Sequence, residues 1–217
     1  MKILAIETST YFGSVALSEG KEIIATYSLN IKSTHSEKVM PLISQMLNDV
    51  QINISQIGTI VVSIGPGSFT GLRIGLATAK GIAYVNKIPI IPISTLKSLA
   101  NNLAYPKYDI CALIDAKRND LYFGLFSPTL EEKHPACAIL PEKIGSLLKQ
   151  PVIFVGNGFS QYKENILNNL NVAYKLAPPH LNFPTATSLI SLSFGREHIY
   201  SLERISEIHP FYIKTQW

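Results

Sequence analysis

The chain has 217 residues, 47% of them apolar and only 16% charged, with a formal net charge of +4. That length and apolar content point to one large domain or two closely joined lobes around a sizeable core. The mild, scattered positive charge argues against a chain that grips nucleic acid by itself, and no apolar run reaches membrane-spanning length. Cys111 and Cys137 show no metal-like spacing, and Glu7 interrupts the apolar start where a signal peptide would continue, so the expectation is a reduced, cytoplasmic protein.

Residues 2–8 (KILAIET) read as a buried strand, and 13–19 and 22–29 complete a three-strand meander with a tight turn at Gly20-Lys21. Over 35–50, Val39, Met40, Ile43, Met46, Leu47 and Val50 recur at helical spacing, with Thr34 or Ser36 as the cap. A continuous apolar strand follows over 57–64, then a glycine loop and a helix to about Tyr84. The prolines within 87–94 place that strand near a sheet edge or strand end, and 95–104 reads as a helix. Beyond a boundary near 105–108 the order returns: strands over 109–116, 120–127 and 133–140, a helix from Pro141, a strand over 151–156, and helices over 159–170 and 185–200. Three strands, helix, strand, helix thus occurs twice. This predicts two mixed sheets with helices packed on them, in lobes spanning 1–104 and 105–217.

The stretch SIGPGSFTGLRIG, 63–75, needs its own explanation. It is not a P-loop, because no Lys follows at the required spacing to reach a phosphate. It is not a dinucleotide fingerprint, because Thr70 stands where the third glycine belongs and the next strand offers no acid for a ribose. Ser68 lacks the Gly-x-Ser-x-Gly frame of a nucleophile elbow. What remains is steric. Gly71, Gly75, Ala79 and Ala83 recur every four residues and form one ridge of nearly bare backbone. Glycine costs about 1 kcal/mol per residue in a helix relative to alanine. A close approach should offset that, made either by another chain or by the protein's own sheet. His35 is isolated, since Val39 occupies the position one turn on where a second histidine would complete a metal pair.

Read together, ILAIETSTYFGSVAL, HSEKVMPLI, SIGPGSFTGLRIGLATAKGIA, LIDAKRNDLYFGLF, VGNG and the ending HPFYIKTQW resemble the TsaB (YeaZ) family, in order and over nearly the whole chain. The resemblance implies a two-lobed actin-like ATPase (ASKHA) fold built on duplicated RNase H-like sheets. It implies a cytoplasmic, non-catalytic partner and activator of TsaD, which works with the ATPase TsaE to form threonylcarbamoyladenosine at position 37 of tRNAs reading codons that begin with A. The lone chain would pair with itself, and tRNA would be reached through the complex.

Carried over residue by residue, the family's dimer surface implies a partner face at His35, Val39, Met40, Ile43, Gly65, Gly67, Phe69, Gly71, Leu72, Arg73, Gly75 and Ala79. On that view Gly75→Leu would abolish pairing and spare the fold. TsaD's metal site is not carried over: His35 matches one ligand, Val39 replaces the second, and PTATSLI offers no acid for the third. The actin-like phosphate loops are also altered, leaving Glu7, Thr8, Ser9, Asp115, Gly156 and Gly158 as a weak nucleotide set. No tightly bound cofactor is expected, with ATP or ADP only at the complex interface. Lys80, Lys97, Lys117 and Arg118 are basic candidates for RNA contact. The competing reading is an actin-like-fold small-molecule kinase or ATPase, for which Glu7 and Asp115 are the acids at strand ends.

Overall fold

The computed structural model of the chain describes residues 1–30, 35–103, 107–117, 119–194 and 200–213, with 35–37 described by their backbone alone. The cap at Thr34 or Ser36, the side chain of His35, Arg118, the boundary at 104/105 and the ending 214–217 lie outside the described side chains.

The first half contributes β1 (Lys2–Glu7), β2 (Phe12–Glu19), β3 (Glu22–Asn30), α1 (His35–Asp49), β4 (Ile57–Gly65), α2 (Phe69–Asn86), β5 (Ile90–Ser94) and α3 (Thr95–Ala100). The second contributes β6 (Asp109–Lys117), β7 (Asp120–Phe126), β8 (Glu132–Ile139), α4 (Pro141–Leu147), β9 (Val152–Val155), α5 (Gly158–Gln161), α6 (Lys163–Leu167), β10 (Tyr174–Leu176) and α7 (Ala186–Ser193). The sheets run β3-β2-β1-β4-β5 and β8-β7-β6-β9-β10. In each, the meander pairs antiparallel and the last two strands join parallel. This is the duplicated mixed-sheet arrangement that the repeated element order predicts, and it agrees with the RNase H-like lobes that the resemblance implies.

Both faces of the first sheet are covered, which is why β1 and β4 read as unbroken apolar runs. Leu4, Ile6, Val15, Leu17, Ile60 and Val62 face α1 and α2, meeting Val39, Ile43, Met46, Leu76 and Ala79. Ile3, Ala5, Ala16, Val61, Ile91 and Ile93 face α7, meeting Ala186, Leu189 and Ile190. The edge strand β3 instead alternates between exposed and half-buried residues over much of its length. The other edge, β5, carries Pro92 and bridges to Tyr200 through Ile90.

The two halves exchange helices. α7 from the second half covers the first sheet, while Leu96, Leu99 and Ala100 of α3 cover the second through Ile110, Ala112 and Val155. Polar bonds hold the exchange. Asn102 Nδ2 donates to the carbonyls of Leu181 (2.9 Å) and Phe183 (2.6 Å), Asn101 Nδ2 to Ser188 Oγ (3.0 Å), and Ser188 Oγ to the Ser98 carbonyl (2.6 Å).

Four elements differ from the sequence reading. The helix expected over 185–200 stops at Ser193, where Phe194 turns extended, and Tyr200 instead bridges to Ile90 of β5. The helix expected over 159–170 is two short ones, because the Tyr162 amide bonds back only three residues to Phe159 O and tightens the turn there. β10, three residues long and exposed throughout, carries no period-two signal. A 3₁₀ turn over Leu202–Glu207 and the segment after it fold back on the first lobe, where Ile205 and Ile208 are buried. No helix among the described residues is long and apolar enough to cross a membrane.

The glycine ridge has its close approach inside the molecule. A Cβ on Gly71 would stand 2.1 Å from Thr8 O, one on Gly75 2.2 Å from Thr8 Oγ1, and one on Gly67 2.4 Å from Ser9 O. Ala79 and Ala83 are fully buried behind them. The row therefore seats this chain's own β1–β2 turn, and the expectation that it fronts another chain's helix is corrected. So is the expectation that Gly75→Leu spares the fold. Gly81, on the same helix, has no atom within 4 Å of where its Cβ would be. Two opposite outcomes follow for one substitution type, read by urea denaturation. Gly75→Ala destabilises by about 1–3 kcal/mol through overpacking against Thr8, whereas Gly81→Ala stabilises by about 0.5–1 kcal/mol through restored helix propensity.

Candidate functional site

Two regions gather the residues singled out by sequence: the turns where the lobes meet, and the outer surface of α1 and α2.

At the lobe junction, β1 ends in Glu7, which is fully buried. Its Oε1 accepts from the Ser9 amide (2.7 Å) and Ser63 Oγ (2.9 Å), tying the end of β1 to β4, while Oε2 has no partner among the described residues. Burial pushes the Glu7 carboxyl above its ordinary range, and the bonds from Ser9 and Ser63 oppose that only in part. Thr8 Oγ1 donates to Gly71 O at 2.7 Å, and Ser9 O accepts the Ser68 amide at 2.7 Å. Thr8 and Ser9 thus fasten the turn to α2, while Glu7 fastens it to β4. Glu7 and Thr8 also line a narrow cleft with Ser14, Lys38 and Val39.

In the second lobe, Asp115 accepts both the amide and Nζ of Lys117, the latter at 2.6 Å. The Gly156 amide donates to Asn182 Oδ1 at 2.8 Å. With φ +111°, Gly156 lies so close to β6 that a Cβ would stand 2.0 Å from Leu113 O, and one on Gly158 would stand 2.7 Å from Leu121 Cδ2. These glycines are required by strand packing, whatever else passes nearby. Phe183 stacks on Phe12 with centroids 5.1 Å apart and meets Tyr11 edge-on at 5.3 Å. Burial raises the Tyr11 hydroxyl pKa, and the charge of Lys117 opposes the rise. The turn of the first lobe therefore already lies against aromatic and basic groups of the second.

On the outer surface, Val39 and Ile43 of α1 are core residues, whereas Met40 is 46% exposed. Gly65, Gly71, Leu72, Gly75 and Ala79 are buried, and Gly67 is half-buried against Ser9. Phe69 and Arg73 are exposed. They begin a second row that the sequence reading did not single out: Phe69, Arg73, Ala77, Gly81 and Val85, all exposed, with Tyr84 beside it. This row lies two residues out of phase with the glycine ridge, about 200° around the helix. Its small positions, Ala77 and Gly81, are visible in the sequence, but reading them as a docking face requires knowing which side of the helix the sheet takes. Lys117 turns back on Asp115 and Lys80 Nζ reaches Ser206 O at 3.4 Å.

The Glu7 environment has a sign that can be measured. A carboxyl whose pKa is raised by folding favours the neutral form, so its contribution is full below the ordinary value of 4.5 and is lost as pH rises through the folded value. Urea midpoints taken across that range should fall less steeply with rising pH in Glu7→Gln than in the unaltered chain. Equal slopes would show that Glu7 carries no such burden.

Comparison with known proteins agrees with this architecture. Residues 22–196 match the family model described as TsaD, tRNA N6-adenosine threonylcarbamoyltransferase. The tRNA threonylcarbamoyladenosine biosynthesis protein TsaB of Bacillus subtilis is 37% identical over 172 residues, covering 76% of this chain and 75% of that protein. TsaB of Buchnera aphidicola subsp. Schizaphis graminum is 33% identical over 203 residues, covering 89% and 93%. The solved structure of YeaZ from Pseudomonas aeruginosa superposes with a TM-score of 0.82 at 24% identity, over 98% of this chain and 99% of that one. The fold is the two-lobed actin-like ATPase fold. At these levels of identity and coverage, the chain belongs to the TsaB (YeaZ) family.

Proposed function

We propose that this chain is the non-catalytic partner and activator of a TsaD-type threonylcarbamoyltransferase, acting in the cytoplasm to form threonylcarbamoyladenosine in tRNA. Family membership supports the pathway, through relatives named for threonylcarbamoyladenosine biosynthesis. The observation that carries the partner role is Gly81. The inner glycines of α2 have an internal reason to be glycine, but Gly81 has open space around it and sits in the middle of an exposed helical row. A glycine there costs about 1 kcal/mol of helix stability with no gain inside the chain. A helix of another protein, laid along Ala77 and Gly81 with Met40, Tyr84 and Val85 closing its flanks, would supply the gain.

The kinase or ATPase reading is less favoured. It needs a carboxylate free to act in the cleft, whereas Glu7 is fully buried with Oε1 bonded to Ser9 and Ser63, and Asp115 is bonded to Lys117. ATP or ADP at the interface between subunits, and engagement of the ATPase TsaE and tRNA by the assembled complex, belong to the same proposal.

The docking row makes a sharp test possible. Gly81→Leu and Ala77→Leu, at exposed positions, should keep or, for Gly81→Leu, raise the thermal midpoint of the lone chain while abolishing co-elution with the TsaD-type subunit in size-exclusion chromatography. The same variants should shift a lone-chain homodimer to monomer, since the uncovered row would otherwise meet its own copy. Undiminished co-elution would show that the partner docks elsewhere.

A further inference from the structure

We propose that Arg73 is the anchor that takes a carboxylate of the partner subunit, and that segment 208–213 is a strap that holds this guanidinium ready. The inference rests on the docking reading above and names the chemistry at one end of that face.

The strap leaves the first core at Ile208, which is buried, and crosses the glycine loop. There the Phe211 amide donates to Ile64 O at 2.6 Å, and Phe211 O lies 2.6 Å from where a Cβ on Gly65 would stand. This crossing, with φ +118° at Gly65, is the reason for glycine at the end of β4. It delivers Tyr212 to the first turn of α2. The Tyr212 hydroxyl accepts from Arg73 Nε at 2.9 Å, and its ring lies 5.0 Å from that of Phe69. The guanidinium carbon of Arg73 stands 3.8 Å from the Phe69 centroid and 5.9 Å from that of Tyr212.

A long side chain normally loses rotamer freedom when it binds, and that loss weakens the contact. Here the two rings and one hydrogen bond already fix Arg73 in the lone chain. The bond to Tyr212 engages Nε–H and leaves the two terminal NH₂ groups, and none of the ion pairs among the described residues involves Arg73. A planar pair of donors fits a carboxylate bidentately. A protein carboxylate is favoured over nucleic-acid phosphate by the surroundings: among the described residues, the exposed side chains that meet Arg73 are the aromatic Phe69 and Tyr212, whereas a surface that tracks phosphates needs several cations in line. Arg73 also continues the row of Ala77, Gly81 and Val85, so a helix docked there ends within its reach.

The test is calorimetric titration of the full chain with the TsaD-type subunit at low and high salt, with circular dichroism as the folding control. Arg73→Ala should weaken binding about tenfold or more, with reduced salt dependence, and Arg73→Lys should not restore it. Tyr212→Phe keeps the ring but loses the bond to Nε; it should weaken binding several-fold in the unaltered chain and not at all in the Arg73→Ala background. Binding unchanged in Arg73→Ala while Gly81→Leu fails to bind would overturn the anchor and leave the docking face standing. Binding unchanged in both would remove both. Loss of tRNA binding by the lone chain in Arg73→Ala, with subunit binding intact, would assign the anion to nucleic acid and overturn the proposal.

Discussion

The seat of the β1–β2 turn on the bare backbone of α2 is the contact on which the other features depend. Thr8 packs where Gly71 and Gly75 have no side chains, its hydroxyl bonds to Gly71 O, and Ser9 O holds the amide of Ser68, the residue that caps α2. Any larger residue on that row would lift the helix from the sheet. Because the seat fixes the rotation of α2 about its own axis, it also decides which residues face outward. Phe69, Arg73, Ala77, Gly81 and Val85 are exposed as a direct consequence of Gly71, Gly75, Ala79 and Ala83 being buried.

This arrangement supports the proposed role as a partner subunit. The positions that would handle phosphate in an actin-like nucleotide cleft are used to hold the fold. Glu7 ties β1 to β4, Thr8 and Ser9 fasten α2, Asp115 closes its own hairpin on Lys117, and Gly156 and Gly158 let β9 and α5 lie against Leu113. The helix exchange, with α3 on the second sheet and α7 on the first, binds the lobes further through Asn101, Asn102 and Ser188. What is left uncovered is a helical face of small and apolar residues, whose first turn is braced from outside by Tyr212.

Much of this was legible in the sequence, for identifiable reasons. Strands buried on both faces, such as Ile57–Gly65, announce themselves as apolar runs, and the repeated element order gave away the duplicated sheets. The need for a close approach at Gly71 and Gly75 was also readable. Its direction was not, because α2 carries small residues on two faces, at Gly71, Gly75, Ala79 and Ala83 and at Ala77 and Gly81, and local spacing cannot say whether a sheet or another chain makes the close approach. The strap was missed because Ile205 and Ile208 sit in an irregular segment without period, and its partner Gly65 lies far away in the chain. The resemblance named the helices of the expected interface, and only tertiary packing separates their inner residues from their outer ones.

The central claim is that this protein contributes a surface to a reaction whose chemistry resides in another subunit. The most direct measurement is threonylcarbamoyladenosine formation on tRNA in a purified reaction supplied with the threonylcarbamoyl adenylate, comparing the TsaD-type subunit alone, this chain alone, and both with TsaE. The account predicts product only when both subunits are present. Product from this chain alone, or equal product from the TsaD-type subunit without it, would contradict the claim.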